Sequence, residues 1–382
     1  MQRIQSYWEE KYYFRDLDVV IIGAGIVGLS TGISLLEKNP GLKILILERS
    51  SIPYGASTRN AGFACFGSPT ELLSELDQSS SDEVFELFAR RYAGIQSLLS
   101  RTGNRKIGYE KLGGHEVLTA DQEISTSQID RLNHYINGAT GISHYFKQRN
   151  ELLTSFDLKG FTQCIYTLHE ACLDPMLMLQ ALQQIYQQQG GRILYGVNLE
   201  DWEDQGSSVS LKIFGDYHFN TSDLVIATNG FAQEILPDID VRAARNLVLL
   251  LRPQKGTPVR GCFHYHKGYV YFRHCDDKLL IGGGRHTDIE NEYTSEMNIN
   301  FQIQQYLLDF VTKHILHDQT FELVSQWPGI LGLGSARKPI IQKISGHVVV
   351  AVRLSGIGIA IGTLVGSEAA ELVLNNPQKT HG

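Results

Sequence analysis

The amino-acid sequence predicts an α/β protein in which a parallel sheet, assembled from separated segments, is joined to an α+β insert with a mixed or antiparallel sheet. Three observations predict this class. An apolar run that ends in glycine is followed by a helical repeat and a second apolar run within residues 18–48. A similar rhythm returns at 174–230 and at 347–374. Between these segments, polar and apolar residues alternate as they do in antiparallel strands.

The composition is that of a folded, globular protein. The chain has 382 residues, 42% hydrophobic and 20% charged, and this length allows two domains with separate cores. Its net charge of -7 argues against a nucleic-acid partner, because phosphate binding needs a basic surface. The aromatic and charged start predicts neither a signal peptide nor a membrane span. Five scattered cysteines fit reduced thiols, so we expect a cytoplasmic protein.

The first apolar segments predict a β-α-β unit. DVVIIG at 18–23 has the β-branched composition of a buried parallel strand. Apolar and small residues then recur at helical spacing over 26–37, and KILILE at 43–48 predicts a second buried strand. The unit has the size of one mononucleotide-binding half of a Rossmann-like fold.

The sequence GAGIVG at 23–28 lies where this strand passes into the helix, the context in which the motif indicates dinucleotide binding. Gly23 permits a sharp turn, Gly25 lets the backbone approach a pyrophosphate, and Gly28 allows close packing. Glu48 ends the second strand, where a carboxylate accepts hydrogen bonds from a ribose. Arg49 beside it leaves open a 2′-phosphate, as in NADP.

The later segments supply more of the same sheet and a separate hairpin. We expect a helix from 175 to 188, and strands in GGRILYGV (190–197), DLVIATNG (223–230) and HVVVAV (347–352). A last helix follows the turn RLSGIG. GYVYFR (268–273) and KLLIGG (278–283) predict a hairpin across HCDDK.

Five stretches occur in the order seen in the D-amino acid oxidase superfamily of FAD-dependent oxidoreductases. They are GAGIVG, ERSSIPYGASTRNAGF (48–63), LDP (173–175), ATNG (227–230) and VVVAVRLSGIGIAIG (348–362). Within that superfamily, which includes glycine and sarcosine oxidases, SYW at 6–8 and GASTRNAG resemble gamma-glutamylputrescine oxidase-like amine oxidases.

The resemblance implies non-covalently bound FAD and two domains. The Rossmann-like FAD-binding domain is expected at 1–80, 165–245 and 319–382, and the substrate domain, with the mixed or antiparallel sheet, at 81–164 and 246–318. The cofactor-binding residues that the resemblance implies are Gly23, Gly25, Ile26, Val27, Gly28, Glu48, Arg49, Ser57, Thr58, Arg59, Asn60, Ala61, Val197, Thr228, Asn229, Gly230, Arg353, Gly356, Ile357, Gly358 and Ile359.

The chemistry implied by the resemblance is hydride transfer from a carbon that bears nitrogen to flavin N5, giving an imine that hydrolyses. The implied substrate is a small amine or amino acid, and O2 or another acceptor reoxidises the flavin. Four side chains are candidates for the substrate site: Arg59, Tyr271, Arg273 and Arg353. For Arg59 and Arg353 the alternative is an ion pair with a structural carboxylate. On the strand GYVYFR, Tyr269, Tyr271 and Arg273 share one face; the alternative is a pair of ordinary sheet aromatics with a solvated arginine.

Two departures from the superfamily bear on the substrate. Many of its amino acid oxidases carry an arginine in a GxRP segment, whereas in WPGILGLGSARKP (327–339) no arginine stands at that position after the first glycine, and Arg337 comes late for the role. The lysine of sarcosine oxidases is absent from SGIGIAIG. These departures favour a longer amine, or a carboxylate held elsewhere. Arg285 and His286 are chemically suited to bind a carboxylate; the alternative is that they are ordinary surface loop residues.

Other reactive side chains are expected to have ordinary roles. We expect Cys65 to be a small buried thiol instead of a covalent link to flavin. His264 and His266 are expected to be exposed strand histidines, and no metal site is predicted.

Two alternative functions stay open. RNAGF (59–63) resembles the RNSG-type turn of FAD-dependent 2-hydroxy acid dehydrogenases. The flavin could also be structural or serve a partner subunit, in which case the substrate pocket would be closed or blocked.

Overall fold

The structure is a computed structural model that describes residues 5–103 and 105–375. It contains two sheets of eight strands each and a small two-stranded sheet, with helices packed against them. The predicted α/β class with an α+β insert is confirmed. The outermost ends of the predicted FAD-binding segments, 1–4 and 376–382, lie outside the described residues.

Strands β1 to β18 of the described chain are, in order, Leu17–Ile22, Ile44–Glu48, Phe63–Ala64, Gly114–Leu118, Lys147–Gln148, Gln163–Thr167, Ala171–Cys172, Arg192–Tyr195, Asp201–Asp204, Val209–Ile213, Tyr217–Ile226, Arg242–Pro253, Cys262–Tyr265, Val270–Cys275, Lys278–Gly283, Phe321–Leu333, Ile340–Lys343 and Val348–Val352.

Helices α1 to α10 of the described chain are, in order, Tyr7–Glu9, Ile26–Lys38, Ala56–Arg59, Pro69–Leu76, Ser81–Thr102, Thr126–Thr140, Glu151–Ser155, Pro175–Gln188, Phe301–His314 and Gly358–Leu374. A π-helical segment spans Glu10–Phe14, and 3-10 helices span Asn229–Glu234 and Arg285–Thr287. Among the described residues, none of these helices combines the length and the apolar character that crossing a membrane requires.

The first sheet has the strand order β17-β18-β11-β1-β2-β8, and β9 and β10 extend it beside β11. Strand β1 pairs in parallel with both β2 and β11. Its residues Val19, Val20 and Ile21 are fully buried, because both faces of the sheet are covered. Val19 and Ile21 pack into the core that contains α2 and α10, and Val20 packs on the other face in a core that includes Leu211 and Phe219. The predicted β-α-β unit is confirmed, with element bounds within one residue of those expected.

Helices α2 and α10 pack closely against each other beside this sheet. Gly362 and Gly366 of α10 make the approach possible, since a Cβ at Gly366 would lie 2.6 Å from the Cβ of Ser30 on α2. The close packing brings the N-terminus of the last helix next to the first glycine turn.

The second sheet has the order β16-β12-β15-β14-β13-β4-β6-β5. The predicted hairpin is confirmed, because β14 and β15 pair antiparallel, with Cys275 opposite Lys278. A core that includes Phe263, Phe272 and Leu307 fills the space between this sheet and α9.

Strand β16 of the second sheet lies wholly within a range expected to belong to the FAD-binding domain. Phe321–Leu333 belongs to the second sheet, although it falls in the range 319–382 that we assigned to the FAD-binding domain. The predicted domain boundaries themselves stay a prediction.

Candidate active site

A cavity of about 770 Å³ lies between the two large sheets. Ile22, Leu47 and Ala227, at the carboxyl ends of three parallel strands, line one side, and Val248 and Tyr271 of the second sheet line the other. Open α/β sheets bind ligands outside the carboxyl ends of their strands, where the strand order reverses. Strand β1, with β2 on one side and β11 on the other, occupies that position.

The glycine turn is shaped as the motif requires. Gly23 has φ of +105°, and its amide donates to the Leu47 carbonyl at 2.8 Å. A Cβ at Gly25 would lie 2.9 Å from Ser57 Oγ, and one at Gly28 only 2.0 Å from the Gly23 carbonyl oxygen. The turn therefore tolerates no side chain at Gly28, which acts through packing and does not line the cavity.

Glu48 is held in place at the end of β2. Its Oε2 accepts a hydrogen bond from the Ala24 amide at 3.0 Å, and its Oε1 accepts one from the Ser50 amide at 3.1 Å. Arg49 pairs with Glu234 at 2.7 Å and lies 4.1 Å from the centre of the Phe231 ring. The amide of Val197 donates to the Glu48 carbonyl, so one corner of the cavity combines all these groups.

The segment after the second strand turns back over the glycine motif. Ser57 Oγ accepts from the Ile26 amide at 3.0 Å, which ties helix α3 to the start of α2. Thr58 Oγ1 donates to the Pro53 carbonyl at 2.7 Å, and Asn60 Nδ2 donates to the Ala56 carbonyl at 2.9 Å. These bonds fix the turn that presents Asn60 to the cavity.

The turn after β18, residues 353–358, completes the cavity wall that the glycine turn and helix α3 begin. We call this wall the cradle and this turn the closing segment, which comes from a distant part of the chain. Asn229 Oδ1 accepts from the Leu354 amide at 3.1 Å, so the end of β11 is bonded to the turn after β18. Gly356 has φ of +86°, and a Cβ at this position would have only a Leu331 side-chain atom within 4 Å. Helix α10 begins at Gly358, and the partial positive charge of its N-terminus faces the turn.

These residues fit FAD. The cradle is long and partly apolar, its glycines leave backbone exposed along the wall, and Thr228 Oγ1 is a buried hydroxyl on the cavity wall without a hydrogen-bond partner in the described chain. The N-terminus of α2, at the glycine turn, suits a diphosphate. The fixed carboxylate of Glu48 suits a ribose.

The structure brings together most of the residues that the sequence analysis assigned to the cofactor. Those that line the cavity are Gly23, Gly25, Ile26, Val27, Glu48, Arg49, Ser57, Arg59, Asn60, Ala61, Val197, Thr228, Asn229, Gly230, Gly356, Ile357, Gly358 and Ile359. Gly28, Thr58 and Arg353 lie behind the lining and are absent from it.

Arg353 and Arg273 correct the predicted substrate site, because both guanidinium groups are engaged by the protein. Arg353 pairs with Asp240 and donates to the Lys338 carbonyl at 2.8 Å. Arg273 is buried and donates to the Ala61 carbonyl at 2.7 Å and the Leu173 carbonyl at 3.1 Å. Neither residue lines the cavity, and Arg273 is not the solvated arginine of the alternative interpretation either.

Tyr271 and Arg59 do line the cavity. The Tyr271 hydroxyl accepts from Asn246 Nδ2 at 2.9 Å, and burial raises the pKa of this phenol well above its ordinary value. Arg59 lies 4.2 Å from the centre of the Tyr54 ring and donates to the Pro328 carbonyl at 2.6 Å. Tyr271 therefore presents a neutral, oriented hydroxyl at the end of the cavity next to the second sheet.

An ion-pair cluster that reaches from the protein interior to the surface lies at the same end of the cavity, and sequence reasoning missed it. Arg337 pairs with Glu71 and with Glu75, the latter at 2.7 Å. Burial would raise the pKa of Glu71, but the charges of Arg337 and Arg91 outweigh burial and lower it. Only Glu71 and Arg337 of this cluster line the cavity, and no local pattern linked residues 266 positions apart.

His264 corrects a further prediction, since it is a buried cavity residue and not an exposed strand histidine. Its exposure is 7%, and its Nε2 lies 2.8 Å from Glu170 Oε2. Burial would lower the pKa of His264, but Glu170, Glu116 and Glu71 outweigh burial and raise it. The structure therefore places an imidazole with an orienting carboxylate on the cavity wall.

The other reactive side chains have plain surroundings. His266 lies in the turn beyond β13, so it does not share a strand face with His264, and its Nδ1 is 2.9 Å from Gln122 Nε2. Cys65 lines the cavity, and burial raises the pKa of its thiol well above the ordinary value. A thiol that stays protonated is a weak nucleophile.

Comparison with known proteins gives one family and several relatives. A family model described as FAD dependent oxidoreductase matches residues 18–372. The chain is similar to a probable oxidoreductase, OrdL, of Haemophilus influenzae, with 20% identity over 384 residues that cover 95% of this chain and 84% of the relative. It is also similar to the mitochondrial L-2-hydroxyglutarate dehydrogenase of Caenorhabditis briggsae, with 24% identity over 62% of this chain and 55% of the relative.

Solved structures share the fold. L-proline dehydrogenase from P. horikoshii superposes with a TM-score of 0.76 at 15% identity, covering 95% of both chains. Glycine oxidase from Geobacillus kaustophilus superposes with a TM-score of 0.74 at 20% identity, covering 94% of both chains. At these identities the likeness extends to the arrangement of both sheets along almost the whole chain.

Proposed function

This chain belongs to the family of FAD-dependent oxidoreductases, and from that premise we propose that it oxidises the C–N bond of a small amine or amino acid. The membership confirms the resemblance to the D-amino acid oxidase superfamily and the assignment of FAD as the cofactor. When bound, FAD supplies the hydride acceptor, so the protein must bind the substrate, orient it and manage its protons.

The observation that carries the proposal is the continuity of the cavity. It runs from the glycine cradle to a chamber lined by Phe63, Tyr269 and Tyr271 together with Glu71 and His264. Aromatic walls exclude water and fix a small molecule, and the hydroxyl of Tyr271 can accept a hydrogen bond from an amine or donate one to a carboxylate. An amine held there unprotonated needs no dedicated base, so the chamber's chief task is orientation.

The names of the structural neighbours support the same substrate class. L-proline dehydrogenase and glycine oxidase are named for amino acids. A structural or partner-serving flavin would instead leave the pocket closed or blocked, whereas this cavity has room beyond the cradle, and we therefore favour an enzyme.

A second candidate is oxidation of a 2-hydroxy acid. The His264 and Glu170 pair favours it, because removing a hydride from an alcohol carbon requires loss of the hydroxyl proton, and a histidine oriented by a carboxylate accepts such a proton. The similarity to L-2-hydroxyglutarate dehydrogenases points the same way.

Anaerobic titration of the purified holoprotein separates the candidates. We expect amines or amino acids to bleach the absorbance of oxidised flavin at about 450 nm, and air to restore it if O2 is the acceptor. Bleaching by 2-hydroxy acids alone would replace the proposal with the second candidate. If neither panel bleaches a protein that retains FAD, both fail.

A further inference from the structure

Charged side chains are unevenly paired at the end of the cavity that holds Tyr271. Arg337 and Arg91 pair with the two carboxylates of Glu71 and Glu75, and His264 is bonded to Glu170. Arg285 and Lys267 also line the cavity, yet neither forms an ion pair with a carboxylate of the described chain. Once the pairs have cancelled, this end of the cavity keeps a surplus of positive charge.

The position of Arg285 is set by the backbone. Gly283 and Gly284, at the end of β15, have φ of +105° and +77°. A Cβ at Gly283 would lie 1.9 Å from the Tyr269 carbonyl oxygen, and the Gly284 amide donates to that same oxygen at 2.8 Å. Only glycine fits so close to the Tyr269 carbonyl, and the turn that it forms places Arg285 beside Tyr269.

Two aromatic rings then hold the guanidinium. Its central carbon lies 5.5 Å from the centre of the Tyr269 ring and 6.0 Å from that of Tyr293, and both rings line the cavity. A cation–π contact with a ring face does not use the N–H groups of the guanidinium, so these stay available to bind a carboxylate. Arg285 is half-buried, so a bond to it is better shielded from water than a bond at the surface.

Lys267 lies in the turn between β13 and β14. The rings of His266 and His286, the residues adjacent to Lys267 and Arg285 in the chain, lie 4.7 Å apart. The two connections are therefore side by side, and both present a cation to the same chamber.

The usual place for a carboxylate-binding arginine is apolar in this chain. The residues next after Gly329 that line the cavity are Ile330, Leu331 and Leu333. Arg337 of the same segment also lines the cavity but is paired with Glu71 and Glu75, and Arg59 is bonded to the Pro328 carbonyl. Arg285 and Lys267 have no such protein acceptor in the described chain, so they are the cations available to a substrate carboxylate.

We propose that Arg285, assisted by Lys267, forms a carboxylate-binding subsite, so that the substrate is an amino acid or another small carboxylate and not a simple amine. This inference rests on the proposed function and names the substrate class of the same site.

Carboxylates that are not oxidised test the subsite without a known substrate. The holoprotein would be titrated with acetate, propionate and glutarate, and with their uncharged amides, while the flavin absorbance and fluorescence are followed. We expect the carboxylates to perturb the flavin spectrum with saturation and the amides to do so at least tenfold more weakly.

Variants identify the residue. We expect Arg285→Met to raise the dissociation constant of the carboxylates at least tenfold and Lys267→Met to raise it severalfold. Arg242→Met is the matched control, because Arg242 lies 3.8 Å from the centre of the same Tyr293 ring but does not line the cavity. Its carboxylate affinity should stay within twofold of the parent. Arg285→Lys serves the same test if the methionine variant does not fold.

Two results would overturn the subsite. One is unchanged carboxylate affinity in Arg285→Met or, should that variant not fold, in Arg285→Lys and Lys267→Met together; the other is equal binding of amides and carboxylates by the parent. Failure of the proposed function looks different, since the carboxylates would still bind while no amine or amino acid reduced the flavin.

Discussion

Arg353 adopts a left-handed backbone conformation with φ of +65°, and its guanidinium holds that turn together. It bonds to the Asp240 carboxylate and to the Lys338 carbonyl, so it connects the turn after β18 to the segments that precede β12 and β17. Sequence reasoning placed it beside the substrate because the surrounding turn resembles one that faces flavin. The backbone of the turn does face the cavity, but the left-handed residue sends its side chain the other way.

Arg353→Met is accordingly expected to affect stability and not substrate affinity. Losing a charged hydrogen bond and a partly exposed ion pair should lower the free energy of unfolding by about 1–3 kcal/mol, measured by urea denaturation. Arg252→Met is the control, because its pair with Glu322 is exposed and should contribute less than about 1 kcal/mol. A raised KM for substrate with unchanged stability would contradict this interpretation.

His264 gives a pH-dependent prediction. Under the second candidate function, His264 accepts the hydroxyl proton of a 2-hydroxy acid, so the imidazole must be neutral and kcat/KM for that substrate should rise as the pH passes the raised pKa of His264. With a 2-hydroxy acid, His264→Gln should lower kcat about 10²- to 10⁴-fold and abolish that ascending limb, with a smaller change in KM. The ion pair with Glu170 also stabilises the fold below the pKa of an unfolded histidine, and this contribution is lost as the pH rises through the folded pKa.

His115→Gln is the matched control for that experiment. His115 lies on the neighbouring strand, stacks on Phe263 at 4.5 Å between ring centres, and does not line the cavity. Burial lowers its pKa to about 4, so it is already neutral across the range of interest. If both variants keep the parent's pH profile, His264 is a structural residue.

At the scale of single residues, the sequence was most informative about candidate site residues where one short motif contains the whole strand, turn and helix that position them. Gly23, Gly25 and Glu48 could be identified because the strand, turn and helix around them are local. Glu71, Arg337 and His264 could not, because their partners lie on other segments and each side chain is unremarkable in its own neighbourhood.

At the scale of elements, the packing of α10 on α2 sets the distance between the closing segment and the glycine turn. Gly366 lies against α2 so closely that a Cβ would be 2.7 Å from the Val27 carbonyl oxygen and 2.6 Å from Ser30 Cβ. The small residues of α10 were visible in the sequence. The helix against which they pack was not, since nothing in a local pattern identifies a partner more than 300 residues away.

Gly366→Ala is expected to push the two helices apart. We predict a loss of about 1–3 kcal/mol in the free energy of unfolding, together with weaker retention of FAD on gel filtration, because the N-terminus of α10 moves with the helix. Gly138→Ala in α6 provides the comparison, as nothing lies within 4 Å of its Cβ position. That variant should be neutral or more stable by up to about 1 kcal/mol. Equal stability of both variants would mean that the α10 contact is not tight.

At the scale of the whole molecule, strand β16 joins the two sheets. It pairs with β12 in the second sheet, while the Gly332 carbonyl accepts from the Ser355 amide of the closing turn at 3.1 Å. Gly230 lies against the same strand, where a Cβ would be 2.6 Å from the Leu331 carbonyl oxygen. Strand β16 therefore contacts both the second sheet, which carries Tyr271, and the closing turn of the FAD cavity.

The presence of two kinds of sheet could be predicted from the pattern of apolar and polar residues, because buried parallel strands and alternating antiparallel strands differ in composition. The sequence did not predict that Phe321–Leu333 contacts both sheets. This strand follows helix α9, which packs on the second sheet, and precedes β17 and β18 of the first sheet. Only pairing decides which sheet such a strand joins.

The most direct test of the central claim is a crystal structure of the purified yellow holoprotein. We predict continuous density for FAD from Glu48, past the glycine turn at Gly25, to the closing turn at Gly356, with the flavin ring facing the chamber that contains Tyr271. Density for the dinucleotide outside this cavity, or a flavin ring remote from Gly356 and Tyr271, would contradict the account.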